Sequence, residues 1–518
     1  MTTGSLSKIK IFKIIIIILI LVLYLFLVKN TYKDYGSTWD EGDFMRMGQE
    51  YYNYVLGKPS PFFNKEFSSQ SKEILLVLYN HSYPAISHAI SVNIFKNVSL
   101  QNTHLINFLF FTLLLIFVVL LFEKQYKKLS SILLGLLFIF LMPRLIGNIP
   151  INSRDISFAI AYFISVTTLF LLVGKKSRLE QLVLGMLFGI TISLRIIGIS
   201  LFIIYFIYKL IHLIRESTNK RNLRREILSM IIELVTIVIF SLLIFVSTSP
   251  YIGANVLINF QHMLSFSKVI LDNALVLFNG SIQGVKEIGP VYLFVWFIIS
   301  TPSIILIFLM LSLFQFKKLF KNYVFVLFLI TFIVNLVIYI VVKPIIFDSL
   351  RHYLFILPIL SVLSVVSLIE IINNYKRLRI FVFIILIVGS ISVLNDYIKL
   401  YPYQYIYFSE IVGGLSNAHK YYETDYWGSS FKEAFTWLVN NEIKPDKNYK
   451  LAYCANSEQF TYLLPKNVAL TEELSNADYF ICFSRQNINL NVDQKFLIHT
   501  ISRDGVPLAF IYDLRNKN

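Results

Sequence analysis

Charged side chains are scarce in this sequence of 518 residues: Asp, Glu, Lys and Arg make up 15% of it, whereas soluble domains average about 25%. Hydrophobic residues make up 56%, and the mean hydropathy is +0.65. This balance excludes an ordinary soluble protein and indicates an integral membrane protein. The net charge of +16 does not indicate a nucleic-acid partner, because the basic residues cluster in short loops between apolar runs, as the positive-inside rule expects.

Cysteine is almost absent as well. Cys454 and Cys482 both lie near the end of the chain, and their spacing is not that of metal ligands. Either a disulfide in a domain outside the cytoplasm or two separately buried thiols on strands fits the sequence. We find no internal repeat and no low-complexity segment.

The long apolar runs predict the fold class. The first, 11–28, follows several lysines and lacks a small-residue cleavage site, so we expect an uncleaved first span with the N-terminus in the cytoplasm. Further apolar runs predict spans at 104–122, 129–146, 156–173, 181–197, 198–214, 227–247, 291–314, 323–342, 353–371 and 380–396. The predicted fold is an α-helical polytopic membrane protein with about 11 transmembrane helices.

The connecting loops predict the orientation. Those expected inside, at 123–128, 174–178, 215–225, 317–321 and 373–379, are strongly basic. The segments expected outside are a first outer loop at 29–103, a second at 143–155 and a further one at 248–290. We expect the first and the last to form helices along the membrane surface that roof a cavity. A hairpin is expected to turn near 195–199.

The tail, 397–518, differs in character from the transmembrane part, 1–396. "SSFKEAFTWLVNN" predicts a helix, with Ser430 and Glu433 at the spacing of a capping box. "KLAYCA" and "DYFICFS" predict buried strands, and Asp504-Gly505 predicts the turn of a hairpin. The odd number of spans places this predicted small α/β domain outside the cytoplasm.

Acidic residues stand at the edges of the outer loops. Asp40 and Glu41 follow the first span in "STWDEGDF", flanked by aromatic side chains that favour a cleft over an open loop. A solvated loop is the alternative for these acids. Asp155 stands where the fourth span begins, and a helix-start acid paired with Arg154 is its alternative interpretation. On the functional interpretation, the two loops form one site.

Cationic residues are expected on the same side of the membrane. Arg195 lies in an otherwise apolar stretch, and Arg351-His352 open a late span. Guanidinium groups bind phosphate through a planar fork of donors, so these residues, with Arg154, are candidate phosphate ligands. Snorkelling or anchoring at the membrane interface is the alternative.

Short motifs carry a family resemblance. "TWDEGDF" after the first span, "PRLIGNIPINSRDISFA" before the fourth and "RHYLFILP" opening a late span resemble the GT-C class of membrane glycosyltransferases. They are most similar to the family 39 group, which includes protein O-mannosyltransferases and lipid A aminoarabinose transferases. Residues 401–438 are similar to a segment after the last span of bacterial members, in Tyr407-Phe408-Ser409, Gly413-Gly414 and Asp425-Tyr426-Trp427-Gly428. The resemblance spans most of the chain. Each motif is short, and it is their order along the chain that carries the resemblance.

The resemblance implies transfer of a sugar from a polyprenyl-phosphate donor to an acceptor hydroxyl on the outer face of the membrane. Asp40 matches the catalytic base, Glu41 its acidic companion and Asp155 the second acidic position. Family members differ in whether they need a metal, so a divalent ion held by Asp40 and Asp155 stays open. We expect a bacterial plasma membrane as the location and a glycan, lipid or protein as the acceptor.

The aromatic zone of the tail allows two interpretations. Tyr426 and Trp427 could stack on an acceptor sugar, or they could belong to an interfacial belt and the domain core. For the whole chain, a transporter or flippase of lipid-linked sugars, a glycan polymerase or ligase and a non-catalytic scaffold are the alternative functions. Transporters typically have paired halves and charged groups near the middle of the membrane, whereas the candidate acids here lie in outer loops and no repeat is visible, which favours an enzyme.

Overall fold

The computed structural model describes residues 3–58, 86–95, 99–174, 177–216, 220–249, 252–253, 255–261 and 275–515. Most of the described chain is helical. The helices are α1 Thr3–Thr31, α2 Glu41–Val55, α3 Ile86–Phe95, α4 Leu100–Tyr126, α5 Leu129–Phe140, α6 Pro143–Ile151, α7 Ser153–Leu172, α8 Arg178–Leu194, α9 Ser200–Glu216, α10 Lys220–Thr248, α11 Val285–Ile288, α12 Val291–Ser300, α13 Ser303–Phe314, α14 Phe316–Leu319, α15 Tyr323–Val342, α16 Ile356–Asn374, α17 Arg379–Leu400, α18 Gly414–Ala418, α19 Phe431–Asn441 and α20 Glu458–Thr461. The strands are β1 Leu275–Phe278, β2 Ser281–Gly284, β3 Tyr449–Tyr453, β4 Val468–Thr471, β5 Tyr479–Phe483, β6 Leu497–Arg503 and β7 Val506–Asp513.

The described residues contain 8 helices that are long and apolar enough to cross a membrane, or up to 10 if each of two bent helix pairs is one span. A multi-pass membrane protein is therefore supported, whereas the predicted number of about eleven spans stays a prediction. The remaining candidate is α8, whose 17 residues lie at the short end of the spanning range. It ends at Leu194, and a 3₁₀ turn at Ile196–Ile199 leads into α9, so the expected break near 195–199 is present, whereas the hairpin itself stays a prediction.

Two predicted spans are broken. The run 129–146 divides into α5 and α6 with a bend of 66°, and 291–314 divides into α12 and α13 with a bend of 113°. A proline stands at each break: Pro143 is the first residue of α6, and Pro302 immediately precedes α13. Proline disfavours the helical conformation of the preceding residue and donates no backbone hydrogen bond, which accounts for both breaks.

Two helices form the centre of the bundle. In α7 and in α16, 83% of the apolar window is buried, against 11% in α1 and 11% in α17. The N-terminal ends of α7 and α16 carry Asp155 and, through a short 3₁₀ turn, Arg351. The candidate site therefore stands on the most enclosed elements of the fold.

The outer segments contain both helices and strands. In the first outer loop α2 and α3 are helical as expected, and residues 59–85 lie outside the described part. In the further outer segment the expectation of helices alone is wrong, because β1 and β2 form an antiparallel hairpin. Its turn is Asn279-Gly280, with φ of 52° and 84°, and Asn-Gly is the preferred pair for such a turn.

The tail is a small α/β domain with a five-stranded sheet in the order β4-β3-β5-β7-β6. β4, β3 and β5 run parallel, and β7 and β6 form an antiparallel hairpin that turns at Asp504-Gly505, as predicted. Cys454 and Cys482 form a disulfide, which decides the alternative that the sequence left open.

The predicted capping box of α19 is wrong. The Ser430 hydroxyl donates to Asp425, whose carboxylate also accepts from the backbone amides of Gly428 at 2.7 Å and Ser429 at 3.2 Å. Glu433 pairs with Arg503 instead of reaching back to the start of the helix. The start of α19 is thus fixed by an aspartate in the preceding turn.

The tail domain docks on the first outer loop. The Gln459 side chain donates to the Ser37 carbonyl at 2.9 Å, and the Trp39 amide donates to the Trp427 carbonyl at 3.1 Å. The hydrophobic cores of the two parts are continuous. This docking places the tail beside Asp40.

Candidate functional site

Asp40 precedes α2, and its carboxylate is partly accessible. The side chain is 36% exposed, and its Oδ2 accepts from Arg351 Nη1 at 2.9 Å. The Asp40 carbonyl accepts from the Phe44 amide at 3.1 Å, in the first turn of α2. The carboxylate is therefore fixed at a helix start, close to a cation and within reach of a solute.

Glu41 has a different environment from its neighbour. Its side chain is 0% exposed, and its Oε2 accepts from the Thr38 amide at 2.8 Å. Its Oε1 lies 2.9 Å from His104 Nε2. A Thr followed three residues later by a Glu is the spacing of a capping box. Glu41 therefore fixes the turn at Thr38 before α2. Its side chain is fully buried, so it presents no surface to a substrate.

Asp155 is buried at the start of α7. The Asn152 side chain accepts from the Asp155 amide at 3.1 Å and donates to the Asp155 carboxylate at 3.0 Å. The Arg195 guanidinium forms an ion pair with the other carboxylate oxygen. Asp155 is thus a helix-start acid, but its partner is Arg195 and not the adjacent Arg154 of the alternative interpretation.

Arg351 contacts two aspartates that come from separate outer segments, Asp40 and Asp348. Its Nη1 holds Asp40, and its Nη2 lies 3.2 Å from Asp348 Oδ2. The guanidinium lies 5.1 Å from the ring centre of Trp427. Burial alone would lower the pKa of Arg351. The negative charges of Asp348, Asp40 and Asp155 outweigh this effect, so the pKa lies above its usual value. Arg351 is therefore a permanent cation that acids from separate loops surround.

His352 is buried beside the arginines. Burial holds its pKa well below the usual value, and the charges of Arg351, Arg195 and Arg154 lower it further. A neutral imidazole can donate one hydrogen bond but adds no positive charge. His352 therefore stays a candidate phosphate ligand as a neutral hydrogen-bond donor. Arg154 and Arg195 thus lie close enough to His352 for their charges to act on it, and their role as phosphate ligands stays a prediction.

Asp348 is a residue of the site that the sequence analysis missed. Its Oδ1 accepts from Arg485 Nη2 at 2.7 Å, and its Oδ2 accepts from the Trp427 indole at 3.2 Å. The acid three residues before Arg351 in "DSLRH" was the available signal. No local pattern could reveal Arg485, which is 137 residues away from Asp348 in sequence.

Trp427 lies beside Arg351 and Asp348, and Tyr426 precedes it in the chain. Tyr426 and Trp427 are 1% and 3% exposed, so their rings cannot stack on an acceptor sugar. The Trp427 ring instead lies against Arg351 and binds Asp348. Gly428, with φ of 69°, closes the turn that places Trp427 there.

The side chains present do not suit a divalent metal ion. Asp40 and Asp155, the two candidate ligands, are each paired with an arginine. Within the described ranges, no group of three or more His, Cys, Asp or Glu side chains is arranged to hold an ion.

A groove of about 510 Å³ lies elsewhere on the bundle. It is lined by mostly apolar residues from α4, α7 and α8, including Leu120, Leu172 and Met186. These residues stand toward the opposite end of α7 from Asp155. The groove is therefore separate from the cluster of aspartates and arginines.

No protein-family model matches this sequence, and no curated protein sequence matches it. The functional argument consequently depends on the residues and their geometry. What they provide is one accessible carboxylate, Asp40, with the buried carboxylates Asp155 and Asp348 and several guanidinium groups at one end of the bundle.

Proposed function

We propose that this chain is a membrane glycosyltransferase of the GT-C class, similar to family 39. It moves a sugar from a polyprenyl-phosphate donor to an acceptor hydroxyl and inverts the anomeric carbon. The observation that carries the proposal is the contact between the accessible Asp40 carboxylate and the Arg351 guanidinium. A base for a hydroxyl and a ligand for a phosphate are the two groups that this reaction requires side by side.

The reaction needs one base and one anion site. Asp40 takes the proton of the acceptor hydroxyl while the acceptor oxygen forms a bond to the anomeric carbon. The bond from that carbon to the phosphate oxygen breaks, and its electron pair leaves with the prenyl phosphate. The phosphate gains a negative charge in this step, and fixed guanidinium groups stabilise that charge without reorganising.

The contact between Arg351 and Asp40 suggests how the donor activates the base. In the absence of donor, Arg351 neutralises the carboxylate that must accept a proton. A donor phosphate offers Arg351 a bidentate partner in place of Asp40. Asp40 is then released toward the acceptor, so that donor binding precedes proton transfer.

Helix orientation supports the anion site. α2 begins next to Asp40, α7 begins near Asp155, and α16 begins just after Arg351. Helix N-termini carry partial positive charge and favour phosphate groups. Together with Arg351, Arg195 and Arg154, they form a field that attracts the anionic part of a lipid-linked donor.

Trp39 is the aromatic residue best placed to contact an acceptor. It is 37% exposed, immediately precedes Asp40 and packs on Phe483 with ring centres 6.3 Å apart. Its carbonyl accepts from the Asn456 side chain at 3.2 Å, so the tail domain supports it. We assign to Trp39 the sugar-stacking role that Tyr426 and Trp427 cannot have.

The proposed location is the outer face of a bacterial plasma membrane, with the N-terminus inside. The disulfide between Cys454 and Cys482 supports it, because such bonds persist in oxidising compartments outside the cytoplasm. The basic loops at the other end of the spans agree with that orientation.

The decisive experiment uses purified protein in lipid nanodiscs with a radiolabelled polyprenyl-phosphate hexose and acceptor extracts. We expect Asp40→Asn to lose at least about 100-fold in transfer, as for loss of a general base. Asp43→Asn is the matched control: Asp43 lies one helical turn away and pairs with the exposed Arg46. Full transfer by Asp40→Asn would remove Asp40 from the mechanism, and no transfer by the wild type with any donor would refute the function.

Transport of a lipid-linked sugar is the second candidate function, and one observation favours it. Lys209 and Glu233 form a buried ion pair of 3.1 Å between two candidate spans, and ionisable groups inside a membrane often mark a pathway. Donor flipping in proteoliposomes without transfer, lost in Glu233→Gln and retained in Asp40→Asn, would support transport over the enzyme.

A further inference from the structure

Asp348 joins the membrane part of the chain to the tail domain. Arg351, from the same outer segment, approaches one side of its carboxylate at 3.2 Å, and Arg485, from the tail, approaches the other at 2.7 Å. The carboxylate is 3% exposed. Arg351 in turn holds Asp40. A continuous chain of charged contacts thus leads from the tail domain to the proposed base.

We propose that Arg485 is a positioning residue for the sugar transfer: it fixes Asp348, which orients Arg351 for the donor phosphate. This inference depends on the proposed function for its catalytic consequence, although the positioning itself can be measured without catalysis. It extends the site to the tail domain, whose aromatic zone the sequence left open between acceptor binding and a purely structural role.

The backbone around Asp348 needs external support. Asp348 and Ser349 have φ of 55° and 67°, a left-handed conformation that non-glycine residues rarely adopt in succession. The Ser349 amide donates to the Tyr292 hydroxyl at 2.9 Å, and the Ser349 hydroxyl accepts from Arg144 at 2.7 Å. Arg485 supplies the corresponding contact to the Asp348 side chain.

Arg485 is itself held firmly. It lies two residues after β5, which pairs with its neighbours on both sides, and the disulfide joins Cys482 of this strand to Cys454. Its Nη1 donates to the Tyr426 carbonyl at 2.8 Å. Glu423 lies 3.9 Å from its Nε, farther than Asp348, so the short charged contact goes to Asp348. The planar guanidinium thus bridges two chain segments in a fixed geometry.

The test compares Arg485→Gln and Arg485→Lys with the control Arg503→Gln. Arg503 is a matched arginine of the same domain, with a carboxylate partner in Glu433, a backbone partner in Tyr401 and a ring partner in Tyr403, all outside the site. The first readout is hydrogen–deuterium exchange in segment 344–355 of the intact protein in nanodiscs. The second is the Kd for polyprenyl phosphate, and the third is kcat for transfer.

We expect Arg485→Gln to increase exchange in 344–355 and to weaken polyprenyl-phosphate binding by roughly 10-fold, in the range for loss of a charged hydrogen bond. Arg485→Lys should recover part of both, because it keeps the charge but loses the fork. Arg503→Gln should change neither. Should Arg485→Gln not fold, Arg485→Lys carries the test, with partial losses relative to Arg503→Gln expected in both readouts.

Two results would overturn the inference. The first is exchange and polyprenyl-phosphate binding in Arg485→Gln equal to those in Arg503→Gln. The second is increased exchange with unchanged binding, which would show that the position of Asp348 does not determine how Arg351 binds phosphate. A wild type that transfers no sugar would instead refute the proposed function. The exchange in 344–355 would then still decide whether Arg485 positions this segment.

Discussion

Glu423 gives the sharpest quantitative prediction, because burial acts on it strongly. Burial raises its pKa from 4.5 to about 8, although Arg485 and the backbone of Leu277 lower it. The folded state therefore binds a proton that the unfolded state releases between these two pH values. At about 1.4 kcal/mol per unit, the stability of the folded state falls by roughly 5 kcal/mol as the pH rises from 4.5 to 8.

Glu423→Gln removes this titration while keeping the shape of the side chain. We expect the difference in stability between the variant and the wild type not to change with pH below about 4.5, where Glu423 is protonated in both states. Near pH 8 the variant should be the more stable of the two. The assay is the midpoint of thermal unfolding of the purified protein across this pH range, with the exposed Glu473→Gln of the same domain as control.

The opposite sign would refute the reasoning. If Glu423 were an ionised partner of Arg485, at the 3.9 Å that separates them, its loss would destabilise the protein at pH 8. Parallel pH curves for variant and wild type would equally contradict the raised pKa.

The remaining predictions concern the proposed site. Arg351→Ala should raise the donor KM more than Arg351→Lys does, since lysine keeps the charge but loses the fork; equal effects, measured with prenyl-phosphate sugars, would count against a bidentate phosphate contact. Glu41→Ala should lower stability by about 1–3 kcal/mol, because it leaves the buried Thr38 amide and His104 without their partner; thermal unfolding measures this, and an unchanged midpoint would contradict a structural role. Trp39→Ala should raise KM for a saccharide acceptor by roughly 10-fold and Trp39→Phe by less, as expected for ring stacking; kinetics with the acceptor varied test this, and equal KM values in all three proteins would refute it.

Local patterns were sufficient for much of the fold. Apolar runs predicted the multi-pass bundle, the spacing in "FKEAFTWL" predicted the helix Phe431–Asn441, and Asp504-Gly505 predicted the last hairpin. Asn279-Gly280 is likewise a typical pair for a hairpin turn. The mixed aromatic, apolar and polar composition of the surrounding segment nevertheless led to the wrong expectation of helices at the membrane surface. The bends at Pro143 and Pro302 were equally available from proline chemistry.

The partners within the site could not be predicted in the same way. Asp40 and Arg351 are 311 residues apart in sequence, and no spacing rule reaches so far. Asp155 shows the limit well: its neighbour Arg154 was the local candidate, whereas the structure pairs it with Arg195. Trp427 belongs to a motif that the sequence already shows, but only the structure reveals that its ring packs against the Arg351 guanidinium.

The link between Asp348 and Arg485 has a consequence for biosynthesis. Arg485 follows Asp348 by 137 residues and comes after all of the candidate membrane-spanning helices of the described chain. On the proposed role of Arg485, a partly made chain can insert all of its apolar helices and yet hold Arg351 loosely. On the proposed function, activity would therefore begin only after the tail domain has folded onto the membrane part of the chain.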